Sequence, residues 1–336
     1  SDLSRVPGLS YLVGEEIRHN EKPPLIDDLD SLPFPNLGLI HGSERIRVKP
    51  VLTSRGCPFD CIFCSVTGMF GKGFRFRSVE SVIEELKRYR RREVFFYDDN
   101  LAVNRARVKH LCEEMIRQDL RINWSAQVRT DVADDDELLR LFQRSGCRML
   151  YIGLESINPE TLLALKKKQD VGHIEKCIRK LREHRIMLHG MFISGGDHDT
   201  DRIAGETALF ALKKGIDTIQ FSVLTPLPGS KLYDTMEKAG RILTRDWSLY
   251  DGMHVVFEPV KMSAYTLHRE TMRAWKRFYS ITQVMKLFLR FKFLGGILRF
   301  YGHRQIRVFE SANVGFVNWI RSLGDSAREM SHAAKT

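Results

Sequence analysis

"TSRGCPFDCIFCSV", Thr53 to Val66, places three cysteines within eight residues, at spacings of four and three. A structural zinc site needs a fourth ligand at short range, and the nearest histidines are His41 before the run and His110 after it. A cluster ligated only by protein needs four thiolates. Three thiolates would instead hold three corners of a four-iron cluster and leave one iron open to a substrate or cofactor. The predicted cluster ligands are Cys57, Cys61 and Cys64.

The other three cysteines lie far from this loop in the sequence. Cys112 and Cys177 fall within segments of helical spacing, and Cys147 follows a glycine at the start of an apolar run. Isolated cysteines of this kind are most often small buried apolar residues. We therefore expect them to be structural.

The composition is that of a basic globular protein. The 336 residues are 43% hydrophobic, which is enough for one large domain or two smaller ones. Lys and Arg number 53 against 42 Asp and Glu, a net charge of +11, so nucleic acid, a membrane surface or an acidic redox protein stay open as partners. The chain shows no secretory signal, no dense disulfide framework and no uncharged run of eighteen residues. We expect a cytoplasmic protein without a spanning helix.

Short β-rich runs alternate with segments of helical spacing through the middle of the chain. The predicted strands are "VLTS", "EVFFYDD", "RINWSAQV", "RMLYIGLE", "IMLHGMFISG" and "TIQFSVLTP". Strands that alternate with helices imply parallel pairing and right-handed crossovers. The pattern predicts an α/β fold, a partial (β/α)6 TIM-type barrel from about Val51 to Pro226. The cysteine loop directly follows the first strand, at the end of the barrel where such folds place their chemistry.

The regions on either side of this core lack the alternation of β-rich and helical segments. Residues 1–49 show little periodicity, and four prolines between Glu21 and Asn36 predict an extended N-terminal arm or linker. We predict a core over residues 50–230 and a mainly helical C-terminal region over residues 231–336. Within that region a helical stretch from about Ser263 to Phe293 is expected to end at Gly295 and Gly296.

The cysteine spacing, with Phe63 directly before the last cysteine, resembles the signature loop of the radical S-adenosylmethionine enzymes. In that family the open iron of a 4Fe-4S cluster chelates the amino and carboxylate groups of S-adenosylmethionine, and the aromatic residue lies near the adenine. The resemblance implies further contacts at the ends of the second, third and fourth strands, and a pocket shaped by "TPLPGS". The implied S-adenosylmethionine contacts are Phe63, Asp98, Asp99, Ser125, Gln127, Arg129 and Glu155.

Each of the charged positions also has a structural alternative. Asp98 and Asp99 match the place where the family binds the methionine amino group, but either could cap the next helix. Arg129 could pair with a nearby aspartate, Asp131 or Asp134. Glu155 could be a solvated rim residue, although it follows an apolar strand. No catalytic acid or base can be chosen from the sequence.

Longer stretches resemble one class within this family. "PLIDDLDSLPFPN", "GCRMLYIGLESINPETL" and "DWSLYDGMHVVFEP" resemble the cobalamin-dependent class, which includes hopanoid methylases and cyclases of the magnesium-protoporphyrin ester type. Its members usually carry a cobalamin-binding domain before the proline-rich linker. This chain begins at Ser1, shortly before that linker, and has no Asp-x-His-x-x-Gly motif. The resemblance therefore implies that any cobalamin comes from a missing domain or from a partner.

The resemblance implies an enzyme that cleaves S-adenosylmethionine with an electron from reduced flavodoxin or ferredoxin. It would act on a hydrophobic small molecule, by methylation or cyclisation where cobalamin is present. A transfer-RNA-modifying enzyme and a non-catalytic iron-sulfur electron-transfer module stay open, although no RNA-binding barrel is visible and nucleic acid is not favoured. "VMKLFLRFKFLGGILRFYGHR", Val284 to Arg304, either covers the open edge of the barrel or contacts a membrane surface.

Overall fold

The computed structural model describes residues 2–71 and 73–333, with the backbone alone for residues 324–333. The strands are β1 (Ser10–Val13), β2 (Glu16–His19), β3 (Val48–Val51), β4 (Ser54–Arg55), β5 (Arg75–Phe76), β6 (Glu93–Phe96), β7 (Asn123–Val128), β8 (Cys147–Glu155), β9 (Met187–Ser194) and β10 (Thr218–Val223). Six of them form one parallel sheet in the order β3, β6, β7, β8, β9, β10. Strands β3 and β10 are its two edges, so the barrel is partial.

Helices connect the strands of this sheet and continue after it. They are α1 (Val66–Phe70), α2 (Val79–Lys87), α3 (Arg105–Arg117), α4 (Asp136–Ser145), α5 (Pro159–Ala164), α6 (Val171–Glu183), α7 (Ile203–Lys214), α8 (Lys231–Lys238), α9 (Ala264–Phe278), α10 (Ile281–Leu289), α11 (Phe293–Ala312) and α12 (Val314–Ala333). Every crossover of the sheet contains at least one of helices α2 to α7. The predicted α/β fold with six β/α units is confirmed.

The first strand lies earlier in the chain than predicted. Strand β3 ends at Val51, where the predicted run "VLTS" begins. The residues after it turn away, because Ser54 and Arg55 of β4 pair in antiparallel fashion with Phe76 and Arg75 of β5. The cysteine loop therefore starts from this small ribbon above the sheet.

The alternation within β7 shows how the core is built. Trp124, Ala126 and Val128 are buried, while the residues between them face the barrel interior. The Trp124 ring contacts Phe96 and Phe142 edge to face, with ring centres 5.4 Å and 5.0 Å apart. Burying such a side chain contributes about 1.5–3 kcal/mol. These contacts fix the height of β7 relative to β6 and α4, and with it the position of the site residues at its end.

The N-terminal arm lies against the core. Leu29 is buried, and the Asp30 carboxylate accepts a hydrogen bond of 3.0 Å from the backbone N–H of Ser78, at the start of α2. The Phe34 ring lies beneath the guanidinium group of Arg88, 4.6 Å from the ring centre. Strands β1 and β2 form a hairpin within the arm, although the sequence there shows little periodicity.

The C-terminal helices pack on the β10 side of the sheet. Helix α9 lies against β10 and α7, and α11 packs on α9. The prediction that Gly295 and Gly296 end a helix is wrong, because both lie inside α11. A Cβ on Gly296 would lie 3.0 Å from the Phe288 ring, so glycine permits the close approach of α10 to α11. No helix within the described part of the chain has both the length and the apolar character needed to cross a bilayer.

Candidate active site

A cavity of about 460 Å³ opens at the carboxyl ends of strands β7 to β10. Its walls include Gln127 near the end of β7, Glu155 at the end of β8 and Val223 at the end of β10. Phe63 of the cysteine loop forms part of its rim, as does the segment Tyr250 to Gly252. The chemistry of TIM-type barrels is located at this end of the strands.

The cysteine loop is held against the start of α8 beside this cavity. The N–H of Leu232 donates to the Ile62 carbonyl at 2.9 Å, and the Lys231 ammonium contacts the Asp60 carboxylate at 2.7 Å. The thiols of the loop are partly exposed, whereas the three isolated cysteines are buried, as predicted. The loop thus presents its cysteines at the mouth of the barrel.

Three thiols on one loop are the donor set for a four-iron cluster with one open iron. Among the described residues, no three His, Cys, Asp or Glu side chains are grouped closely enough to hold a single metal ion. In a four-iron cluster each thiolate binds a different iron, so its ligands lie farther apart than those of one ion. Burial raises the pKa of the Cys57 and Cys64 thiols, with a further contribution from Asp99. Iron binding must therefore displace protons from these thiols.

Glu155 forms a buried ion pair inside the cavity. It is the last residue of β8, with a φ of 60° that non-glycine residues seldom adopt. The Lys167 ammonium donates to its carboxylate. The Lys167 side chain is only 11% exposed and the Glu155 side chain only 6%. A Cβ on Gly153 would lie 2.3 Å from Glu155 Oε1 and 2.7 Å from Lys167 Nζ. Only glycine at position 153 leaves room for this pair.

Lys167 was not predicted as a site residue. It lies in a run of three lysines, Lys166 to Lys168, directly after a short helix. The run looks like a solvated surface segment, and nothing local distinguishes its central member. Lys167 enters the cavity because the chain returns from α5 across the end of β8. That return is a property of the tertiary fold.

Arg129 connects the cysteine loop to the same pair. Its guanidinium lies 3.9 Å from the Phe59 ring centre, and Nη1 lies 3.9 Å from Cys61 Sγ. Nη2 donates to the carbonyl of Lys167. Arg129 thus links the cysteine loop to the backbone at Lys167.

The alternative partners considered for Arg129 are engaged elsewhere. Asp131 pairs with Arg105 at 3.3 Å, and Asp134 pairs with Lys176 at 2.6 Å. Arg129 is therefore directed into the cavity and does not form a surface ion pair with either aspartate.

The two aspartates after β6 lie in different environments. Asp98 is fully buried and accepts hydrogen bonds from Thr53 N at 3.2 Å, from Thr53 Oγ1 at 2.9 Å and from the Ser54 hydroxyl. It does not line the cavity. Asp99 does line it; the residue is exposed, and partial desolvation of its carboxyl raises its pKa. Within the described ranges no side chain or N–H forms a hydrogen bond or ion pair with Asp99.

Ser125 lies two residues before Gln127, on the same face of β7, but it does not line the cavity.

Beneath the cavity the interior of the barrel is filled by a row of rings, in which the His189 ring centre lies 4.6 Å from that of Tyr151. His189 Nδ1 lies 2.8 Å from Thr218 Oγ1. Burial lowers the pKa of His189 to about 4, so this imidazole is neutral at ordinary pH.

The cavity therefore combines groups of both charges. Asp99 and Glu155 are acceptors for an ammonium or for hydroxyl groups, and Arg129 and Lys167 are donors for a carboxylate. Phe63 and Val223 add apolar surface for a planar ring. S-adenosylmethionine carries an ammonium, a carboxylate, ribose hydroxyls and an adenine, so the donor set fits this molecule beside the cysteine loop.

The fold and this site define a class of protein. Residues 51–211 match the family model described as the Radical SAM superfamily. The chain belongs to this superfamily, whose enzymes use a 4Fe-4S cluster and S-adenosylmethionine.

Two curated relatives are each 30% identical to the chain. One is the bacteriochlorophyllide d C-12(1)-methyltransferase of Chlorobaculum tepidum, matched over 73% of this chain and 55% of that protein. The other is the anaerobic magnesium-protoporphyrin IX monomethyl ester cyclase of Cereibacter sphaeroides, matched over 93% of this chain and 52% of that protein. The chain thus spans about half the length of these relatives.

Among solved structures, the chain is similar to the cobalamin-dependent S-adenosylmethionine radical enzyme OxsB, solved with aqua-cobalamin and S-adenosylmethionine bound. The TM-score is 0.62 over 98% of this chain and 56% of that chain. The sequence identity is 17%, so this likeness shows the fold alone.

Proposed function

We propose that this chain is the catalytic barrel of a radical S-adenosylmethionine enzyme that modifies a hydrophobic ring compound. The observation that carries the proposal is the junction of the cysteine loop with the cavity. There Arg129 contacts both Cys61 and the backbone of Lys167, and Lys167 pairs with Glu155. A cluster held by the loop and the methionine portion of S-adenosylmethionine in the cavity would both lie next to this junction.

The residues of the site have separate tasks. Cys57, Cys61 and Cys64 would hold the cluster. It would supply the electron that cleaves the sulfonium of S-adenosylmethionine to methionine and a 5′-deoxyadenosyl radical. Asp99 accepts from the ammonium of the methionine portion, because its carboxylate lines the cavity and has no hydrogen bond or ion pair with any described residue. Arg129 and Lys167 donate to the methionine carboxylate. The rim formed by Phe63 excludes water from the adenine side.

The proposed substrate is a tetrapyrrole or a similar polycyclic hydrophobic molecule. Both relatives at 30% identity are named for tetrapyrroles, a bacteriochlorophyllide and a magnesium-protoporphyrin ester. Apolar side chains such as Met191, Ile193 and Leu224 line the deeper wall of the cavity. Methylation or cyclisation would follow, with cobalamin from a further domain or a partner. A reduced flavodoxin or ferredoxin, which are acidic electron carriers, would suit the net charge of +11.

The experiment that tests this function is S-adenosylmethionine cleavage by the anaerobically reconstituted chain. With a strong reductant, 5′-deoxyadenosine should accumulate, as measured by chromatography and mass spectrometry. Omission of the reductant is the control and should abolish the product. An iron-loaded protein that never forms 5′-deoxyadenosine would instead favour an electron-transfer module. Product formation only upon addition of transfer RNA would favour the RNA-modifying alternative.

A Glu155→Gln variant should bind S-adenosylmethionine about 10- to 100-fold more weakly. It would lose a charge-assisted hydrogen bond from the ammonium or a ribose hydroxyl to the Glu155 carboxylate, and such a bond contributes about 1.5–3 kcal/mol. The iron content should not change, since Glu155 lies outside the cysteine loop. Equilibrium dialysis with labelled S-adenosylmethionine measures the affinity, and iron analysis measures the cluster. Glu113→Gln, an exposed carboxylate on α3, is the matched control. Intact binding in the Glu155 variant would show that this residue serves only the fold.

A further inference from the structure

The helical hairpin formed by α10 and α11 carries a continuous exposed apolar surface at its tip. Leu289 is 76% exposed and Phe291 is 81% exposed, the latter in the turn between the helices. Leu289, Phe291, Phe293, Leu294 and Ile297 are all exposed, and we call these five the tip residues. Single exposed apolar side chains are common on protein surfaces, but a contiguous group marks a binding surface.

The inner face of the hairpin is firmly packed, so the tip is not exposed through loose folding. Val284 and Ile306 are buried. The buried Arg299 guanidinium donates to the carbonyls of Ile216 and Asp217 and lies 4.1 Å from the centre of the Phe278 ring. The hairpin therefore holds the tip residues outward on a fixed support.

The hairpin is strongly basic, and Glu310 in the last turn of α11 is the one carboxylate of these two helices. Residues 281–309 contain no Asp or Glu. Their Lys and Arg residues are Lys286, Arg290, Lys292, Arg299, Arg304 and Arg307. Lys286, Arg290 and Lys292 are exposed and adjoin the tip residues, and in the described part of the chain none of the three forms an ion pair. Basic side chains beside exposed Phe and Leu are the composition of interfacial helices.

A second cavity, of about 510 Å³, lies behind the tip. It is enclosed by the hairpin and by the amino ends of β9 and β10, at Met187 and Asp217. Lys286, Arg290, Lys292 and Arg299 line it, against the single carboxylate of Asp217. This cavity is at the end of the barrel opposite to the candidate active site. Its excess of cations beside apolar residues suits a phosphate headgroup joined to an acyl chain.

We propose that the tip of this hairpin inserts into the headgroup region of an anionic lipid bilayer, with Lys286, Arg290 and Lys292 on the lipid phosphates. Buried apolar area and attraction to anionic lipids together set the strength of such binding. A second copy of the chain suits the surface poorly, because a symmetric contact would place cations against cations. The inference does not rest on the proposed function, since the surface is remote from the cysteine loop.

Sedimentation of the full 336-residue chain with lipid vesicles tests the proposal. The chain should bind vesicles that contain phosphatidylglycerol and should bind pure phosphatidylcholine vesicles much more weakly. Added salt should reduce the binding. The triple variant Lys286→Gln, Arg290→Gln, Lys292→Gln should lower the partition coefficient about 100-fold, at about 1 kcal/mol for each cation. The variant Arg140→Gln, Arg144→Gln, Lys238→Gln makes the same change in charge elsewhere and should bind as the unmodified chain does.

A fluorescence experiment separates insertion of the tip from general attraction. Tryptophan introduced by Phe291→Trp should shift its emission to shorter wavelength on addition of anionic vesicles, whereas Leu163→Trp, at an exposed position on α5, should not. Equal vesicle binding by the two triple variants would overturn the proposal. So would a chain that self-associates in ultracentrifugation and becomes monomeric when Phe291 and Phe293 are replaced by Ser. Circular dichroism and iron content verify that each variant is folded.

Discussion

Anaerobic reconstitution should load about four irons and four sulfides on the chain, and a variant with Cys57, Cys61 and Cys64 all replaced by Ala should load none. The three thiols lie on one loop that is fixed to α8, so we expect them to bind a cluster without rearrangement of the barrel. Loss of one thiolate leaves two corners held and a second iron exposed. Each single Cys→Ala variant should therefore lose the paramagnetic signal of the reduced cluster.

The matched control for this experiment is a buried cysteine. Cys177 is fully buried on α6, and Cys177→Ala should cost on the order of 1 kcal/mol of stability. Its iron content should equal that of the unmodified chain. Iron and sulfide analysis with electron paramagnetic resonance checks both results. A triple variant that retained a full complement of iron would rule out the loop as the cluster site.

The parts of the fold that were predicted correctly depend on local patterns. Alternation in β7 and the long apolar run of β8 indicated strands, and the resemblance to the radical S-adenosylmethionine enzymes implied contacts at their ends, such as Gln127 and Glu155. Parallel strands place their carboxyl ends at one edge of the sheet. Residues far apart in the chain could therefore be assigned to one site without knowledge of any contact.

The features that were missed depend on contacts between distant segments. Lys167 is one of three consecutive lysines, and only the path of the chain over β8 selects it. Asp251 and Gly252 come from the C-terminal region, and they reach the cavity because the Val223 N–H donates to the Gly252 carbonyl at 2.7 Å. Gly296 continues a helix because Phe288 lies against it. Propensity alone describes none of these contacts, since tertiary packing overrides it.

The two adjacent aspartates after β6 should respond to the same substitution in opposite ways. Asp98→Asn replaces one acceptor oxygen by an amide that can only donate, although Thr53 and Ser54 surround it with donors. A buried polar group left without its partner costs about 1–3 kcal/mol. We expect a lower midpoint in denaturant unfolding of this variant, with iron content preserved in the protein that folds.

Asp99→Asn should leave the free energy of unfolding almost unchanged and should weaken S-adenosylmethionine binding about 10-fold or more. The reason is that Asp99 is exposed and forms no hydrogen bond or ion pair in the described parts of the chain, while it lines the cavity. Removal of an exposed charge of this kind costs the fold almost nothing, whereas an ammonium ligand loses its counter-charge. Each variant is therefore the control for the other, with unfolding and dialysis measured on both. The assignment of these two carboxylates would be reversed by the opposite result. In that case the Asp98 variant would be stable but bind the cofactor weakly, and the Asp99 variant would be unstable but bind normally.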